Sequence, residues 1–329
     1  MILLFVSTVL AADHHVVRKG ETIATIAAAE DVDPAALRRE NGLGEKDEPK
    51  AGTVLRLPGT ETPLAAATAL AVSGGATLTP AGGTAQALVP GAELPPGSVV
   101  CTPNGGYATL RLATATGTYA HDEITLLGGT CVSIDDAWAD RAGHASLVSV
   151  RSGTVSVRAD TPGSGQLTVR TDDAVSTGDA GGFRVSVEAD ATRTEAVSGA
   201  VSVLGGGDQV ELQPGFGART KEGQAPSAPV ALLVAPALLH PDADVALRRP
   251  DFSWGKVDRA LAYRVEIASD PDFVDIVDSE DVGALRWQPE TLFLPIGRLW
   301  WRVTPVDRTG FVGTPSAARG LAMPGGLGK

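Results

Sequence analysis

The chain has 329 residues, and its 39 Asp and Glu outnumber 27 Lys and Arg to give a formal charge of −12. No basic stripe is present to displace counterions from phosphates, which argues against nonspecific nucleic-acid binding. A hydrophobic content of 43% excludes a wholly disordered chain, and 39 Gly with 22 Pro point to turn-rich β structure in two or three domains.

In chain order, Ile2 to Leu10 is an apolar run too short to cross a bilayer core. It ends in Ala11-Ala12 ahead of Asp13 and lacks a positive flank at its start. Residues 1–12 therefore read as a secretory signal peptide, and no other stretch reaches membrane-spanning length. Export would place the chain in the periplasm or outside the cell.

Residues 13–58 read as a strand–helix–helix–strand unit. His15 to Arg18 forms a strand, Lys19-Gly20 turns, and Thr22 caps a first helix by accepting from its free N–H groups. Ile23, Ile26 and Ala27 then share one apolar face. Asp33-Pro34 opens a second helix, with Pro34 at the position where a missing N–H costs little. Ala36 and Leu37 point inward, Asn41-Gly42 closes the helix in the left-handed conformation, and Val54 to Leu57 is a strand stopped by Pro58.

This order of residues resembles the LysM module. It is carried by Val17, Gly20-Glu21-Thr22-Ile23, Ile26-Ala27, Leu37, Asn41 and Gly52-Thr53-Val54-Leu55-Arg56-Leu57-Pro58. The resemblance implies binding of N-acetylglucosamine-containing glycans such as peptidoglycan, in a shallow groove between the loop after the first strand and the loop before the second. Carried over by position, Gly20, Glu21, Thr22 and Ile23 form one wall, and Asn41, Gly42 and Leu43 lead into the other. The second loop, Gly44 to Lys50, is charged and has no aromatic ring for stacking on a sugar.

Residues 59–68, rich in Pro, Thr and Ala, read as a linker, and from Ala69 the period of the apolar residues changes to two. Leu110/Leu112, Ile124/Leu126, Val132/Ile134, Val148/Val150, Val155/Val157, Leu167/Val169, Phe183/Val185/Val187, Val201/Val203 and Val210/Leu212 mark short strands bounded by turn residues. Such strands bury one face each only by stacking or coiling, so an all-β sandwich or solenoid-like domain is expected over residues 69–222. Cys101 and Cys131 fall at similar places in successive strands. An oxidising compartment permits a disulfide between them, worth roughly 3 kcal/mol in loop entropy, with two reduced thiols as the alternative.

The segments Leu94 to Thr102, Ser152-Gly153-Thr154-Val155-Ser156-Val157, Leu167 to Thr171, and Val197 to Val203 followed by Leu212-Gln213-Pro214-Gly215 resemble the FecR-type periplasmic domain. Residues 223–229 read as a second linker. Residues 230–323 hold four of the five tryptophans. There Phe252-Ser253-Trp254, Ala262 to Ile267, Leu294 to Gly297 and Leu299-Trp300-Trp301-Arg302-Val303 resemble a fibronectin type III-like sandwich. In that pattern Trp254, Tyr263, Val265 and one of Trp300 and Trp301 fill the core, leaving Trp287 and the other tryptophan exposed.

Nothing points to catalysis. The acidic pairs Asp122-Glu123, Asp135-Asp136 and Asp172-Asp173 read as solvated strand edges and turns, and the histidines are scattered: His14 and His15 near the start, then His121, His144 and His240. No nucleophile elbow or metalloprotease motif occurs, and no metal or cofactor is expected. The expectation is a multidomain, mainly β, non-catalytic envelope protein that is associated with the cell wall and binds peptidoglycan or a related N-acetylglucosamine polymer. Its β domains would act as a spacer or as a platform for an envelope protein partner. The alternative is a protein-interaction or envelope-sensing module in which the LysM-like part is only structural.

Overall fold

A computed structural model of the chain describes residues 14–58, 67–112, 122–139, 144–159, 165–243, 250–289 and 294–323. The signal-peptide reading, most of the first linker and His121 lie outside them. The described chain is mainly β with two short helices.

The N-terminal unit contains β1 (His14–Val16), α1 (Ile23–Ala29), α2 (Pro34–Glu40) and β2 (Val54–Arg56). The two strands run antiparallel, with His15 opposite Leu55. Both helices begin where their caps dictate. Thr22 and Thr25 form a reciprocal capping box at α1, and the Asp33 carboxylate accepts from the Ala36 amide at 2.9 Å ahead of Pro34. At the end of α2 only Gly42 takes the left-handed conformation (φ 64), while Asn41 stays right-handed (φ −103) and its backbone N–H closes the last turn on the Arg38 and Arg39 carbonyls. Val17, Ile23, Ile26, Leu37, Leu55 and Leu57 bury a small core, and Ala36 is only half-buried at its edge.

The middle of the chain is two facing antiparallel-rich sheets around one core. One sheet runs, in spatial order, through Glu93–Leu94, Ala67–Ser73, Tyr107–Leu112, Asp122–Leu126, the second half of His144–Ala159, Gly181–Val187, Thr192–Ala196, Phe216–Thr220 and Val230–Ala231. The other runs through Gln86–Ala87, Thr77–Thr79, Val99–Cys101, Cys131–Ala139, the first half of His144–Ala159, Gly165–Arg170, Val175–Gly178, Val201–Gly205 and Asp208–Leu212. The long strand His144–Ala159 thus belongs to both sheets. It crosses between them at Gly153, where φ is +84 and an added Cβ would lie 2.5 Å from the Thr130 Cα, so only glycine fits. Residues of the alternating pattern such as Leu110, Ile124, Val155, Val169 and Val203 fill the space between the sheets. Cys101 and Cys131 sit directly opposite one another on adjacent strands and are joined, with S–S 2.10 Å.

Two boundaries differ from the sequence reading. The first strand opens at Ala67, inside the expected linker, and Val230–Ala231 pairs with Phe216–Gly217 instead of opening the last unit. A two-residue strand has no alternation to betray it.

The last unit packs a three-stranded sheet (Leu238–His240, Phe252–Trp254, Arg286–Trp287) on a four-stranded one (Ile276–Val282, Ala260–Ala268, Gly297–Asp307, Arg319–Met323). Trp254, Tyr263, Val265 and Trp301 are in its core, with Trp254 and Tyr263 rings 5.6 Å apart. Trp301 faces in and Trp300 faces out beneath Arg298, as neighbours on a strand must. Trp287 is half-buried, stacked on Phe252 at 5.3 Å.

Candidate functional site

The two loops expected to form the groove walls are neighbours in space. The Gly52 amide donates to the Val17 carbonyl at 2.8 Å and the Val17 amide to Thr53 at 2.9 Å, so residues 17–23 and 48–53 line one edge of the unit. Gly20 (φ 84) and Gly42 (φ 64) are exposed turn residues with open space about their Cα atoms. Thr22 is half-buried, at the N-cap.

The other expected wall residues are committed to the fold. Ile23 is fully buried, and its amide donates to the Glu48 carboxylate at 2.8 Å. Glu48 in turn pairs with Arg38 at 2.7 Å, and the Arg38 guanidinium also donates to the Gly44 and Asp47 carbonyls. This knot gives the charged second loop its shape. The Ile23 amide first, and Arg38 second, hold the Glu48 carboxyl below its ordinary value.

Glu21 accepts from the Arg18 amide at 2.7 Å and from His15 Nε2 at 2.7 Å, while His15 Nδ1 meets Glu30 at 2.8 Å. Burial pushes the Glu21 carboxyl up, but the Arg18 amide and His15 outweigh it and leave it lowered. Asn41 donates to the Leu37 and Arg56 carbonyls and accepts from the Arg56 amide, each at 2.8 Å. It fastens α2 to β2 with every polar atom it has. Leu43 packs against the small core. What these walls present outward is backbone, Thr22, the two glycines and the partly exposed edges of Glu21 and Leu43.

Beside this edge lies a cleft of about 810 Å³ toward the middle β unit. Lys50, Ala51, Gly52 and Thr53 form one side of it. Asp135, Ser149, Arg170, Asp172, Asp173 and the turn Gly205-Gly206-Gly207 form the other, and among the described residues none of those lining it is aromatic. The Lys19 amide donates to the Gly207 carbonyl at 3.2 Å, and Arg18 Nε meets Gln209 at 3.2 Å. Arg170 pairs with Asp135 at 3.0 Å, and Ser149 donates to the same carboxylate. The far side of the cleft escaped sequence reasoning because its residues come from strands roughly 75 to 150 residues beyond the N-terminal unit. The Gly205-Gly206-Gly207 run was the one local sign.

The acidic pair Asp122-Glu123, read as solvated, is instead buried. Its cause is cross-strand: Arg111 at 2.9 Å and Arg158 both pair with Glu123. Asp135 is likewise engaged, by Arg170. Among the described residues no cluster of three or more His, Cys, Asp or Glu has the geometry of a metal site, and no helix is long and apolar enough to cross a membrane.

No curated protein matches the chain. Solved structures similar to it include a candidate anti-sigma factor from Parabacteroides distasonis, 16% identical over 40% of this chain and 59% of that one, with TM-score 0.32. The chain thus spans under two thirds of that structure. Others are a β-1,2-glucanase from Parabacteroides distasonis (17% identity, 81% of this chain, 38% of that chain, TM-score 0.25) and the FN1–FN3 domains of chicken CNTN1 (12% identity, 81% and 97%, TM-score 0.24). Residues 15–58, the capped strand–helix–helix–strand unit with its paired loops, match the LysM domain.

Proposed function

We propose that this is a non-catalytic binder of peptidoglycan or a related N-acetylglucosamine polymer, held through residues 15–58. Its β domains act as spacer or docking platform in the periplasm or outside the cell. The observation that carries this reading is the LysM match over a complete unit whose two loops lie side by side. Because Glu21 and Asn41 are occupied within the unit, the glycan contacts fall to the backbone of Gly20, Thr22, Gly42 and Leu43, to the Thr22 hydroxyl, and to the polar cleft at Lys50 to Thr53. Without a ring to stack on, a single such edge binds weakly, and retention on a wall comes from repeated engagement of a long polymer.

The test is sedimentation with purified insoluble peptidoglycan, comparing the chain from Asp13 to Lys329 with a version that lacks residues 14–58. The full chain should pellet and the truncation should stay in solution. If both pellet alike, or neither does, the LysM unit is not the anchor, and a protein-interaction role for the β domains takes its place. Arg170→Ala should lower retention a few-fold if the cleft takes part.

A further inference from the structure

The N-terminal unit is seated on the middle β unit by contacts that leave a cleft beside them. Val54 on β2 packs against Leu147, the Lys19 amide donates to the Gly207 carbonyl at 3.2 Å, and Arg18 Nε donates to Gln209 at 3.2 Å. The approach is so close that an added Cβ at Gly207 would lie 2.3 Å from the Lys19 Cβ, so the turn needs its glycine there. Next to this seat, residues 50–53 stand over the outer face of a sheet, and the space between is the cleft of about 810 Å³. That volume lies in the range of about 300–1,000 Å³ typical of ligand pockets.

The floor of the cleft is set by strand alternation. Val148, Val150 and Val169 point into the core, which turns Ser149, Arg151 and Arg170 outward into the cleft. The walls carry three cations, Lys50, Arg151 and Arg170, and three carboxylates, Asp135, Asp172 and Asp173. Only part of this charge is matched internally: Arg170 pairs with Asp135 at 3.0 Å, and Asp173 accepts from the Thr192 hydroxyl at 3.1 Å. Lys50, Arg151 and Asp172 are exposed and, among the described residues, make no ion pair and no side-chain hydrogen bond. An uncharged sugar strand would use neither sign of charge, and the cleft offers it no ring to stack on. A polyanion or a polycation would meet like charge on one wall, whereas a ligand with separate positive and negative groups finds a partner for each.

We infer that the cleft binds the peptide carried on the glycan of peptidoglycan, with Lys50 and Arg151 taking its carboxylates and Asp172 its amino groups. This rests on the glycan reading of the LysM unit. Residues 50–53 belong both to that unit's loop edge and to the cleft wall, so a glycan strand lying along the edge brings its peptide branches to the cleft mouth. The consequence is selectivity: the chain prefers peptide-bearing wall glycan to a bare N-acetylglucosamine polymer.

The experiment is sedimentation of the full chain with three insoluble polymers: intact peptidoglycan, the same material after an amidase has removed its peptides, and chitin. Affinity for the intact wall should exceed that for the stripped glycan at least about five-fold. Arg151→Ala and Asp172→Ala, both at exposed positions, should each lower affinity for the intact wall about three-fold or more and leave that for the stripped glycan unchanged. Equal affinity for intact and stripped material would overturn the inference while leaving glycan binding in place. So would variants that lose nothing on the intact wall, or that lose as much on the stripped glycan. Binding to none of the three polymers would remove the LysM reading itself, and the inference with it.

Discussion

Asn41 joins three backbone groups from two elements, and its replacement tests whether it holds the fold or the ligand. Asn41→Ala strands the Leu37 and Arg56 carbonyls and the Arg56 amide and should destabilise residues 14–58 by about 2–3 kcal/mol, read by hydrogen exchange of α2 and β2 amides. Unchanged exchange with lost glycan retention would instead make Asn41 a ligand contact. The glutamates set a pH limit on the same unit. In the folded unit the Glu21 and Glu48 carboxyls are held below the ordinary glutamate value of 4.5, so their contribution is fully present above that value and is lost as pH falls below it. The protection of amides in residues 14–58, taken relative to their intrinsic exchange rate at each pH, should therefore fall on acidification below about pH 4.5, and Glu48→Gln should flatten that response.

At the scale of elements, the Cys101–Cys131 bond and Gly153 fix how strands are arranged. The bond closes a 30-residue separation, so the Cys101→Ser/Cys131→Ser double variant should lose about 3 kcal/mol, visible as a lowered thermal midpoint. Gly153→Val should cost more than that, because both the positive φ and contact with Thr130 oppose it. Much of this level was legible in the sequence. Thr22 and Asp33 announced the helix starts, and pairs such as Leu110/Leu112 and Val155/Val157 announced which residues go inward. The second face of each strand was not legible. Alternation separates two faces but does not say what covers the polar one, so Glu123 looked solvated although Arg111 and Arg158 on the neighbouring strands pair with it and it is buried. The candidate site divides the same way: both loops were readable from their turn residues, but the occupancy of Glu21 and Asn41 depends on where His15 and Arg56 come to lie.

Across the whole molecule, the two β units are joined by hydrogen bonds such as that from the Val312 amide to Glu195 at 2.9 Å and from Arg219 to the Thr309 carbonyl at 2.6 Å, by the Arg158–Asp272 pair at 3.5 Å, and by Phe311. Phe311 lies against Gly217, where an added Cβ would sit 2.8 Å from its ring, and between the guanidiniums of Arg193 and Arg219 at 5.9 and 5.5 Å. Phe311→Ala should uncouple the units, so that one calorimetric unfolding transition becomes two; a single transition at a uniformly lower temperature would show that the remaining polar contacts suffice. The strand His144–Ala159 has a further consequence, a mechanical one. A chain gripped by a polymer near its N-terminus and loaded near its C-terminus transmits tension through the middle unit. Because one strand is woven into both sheets, neither sheet can shear away from the other without breaking backbone pairing on both sides of Gly153 at once. The crossing therefore acts as a clasp under pulling force, and the disulfide on the neighbouring strand limits how far the chain behind it can pay out.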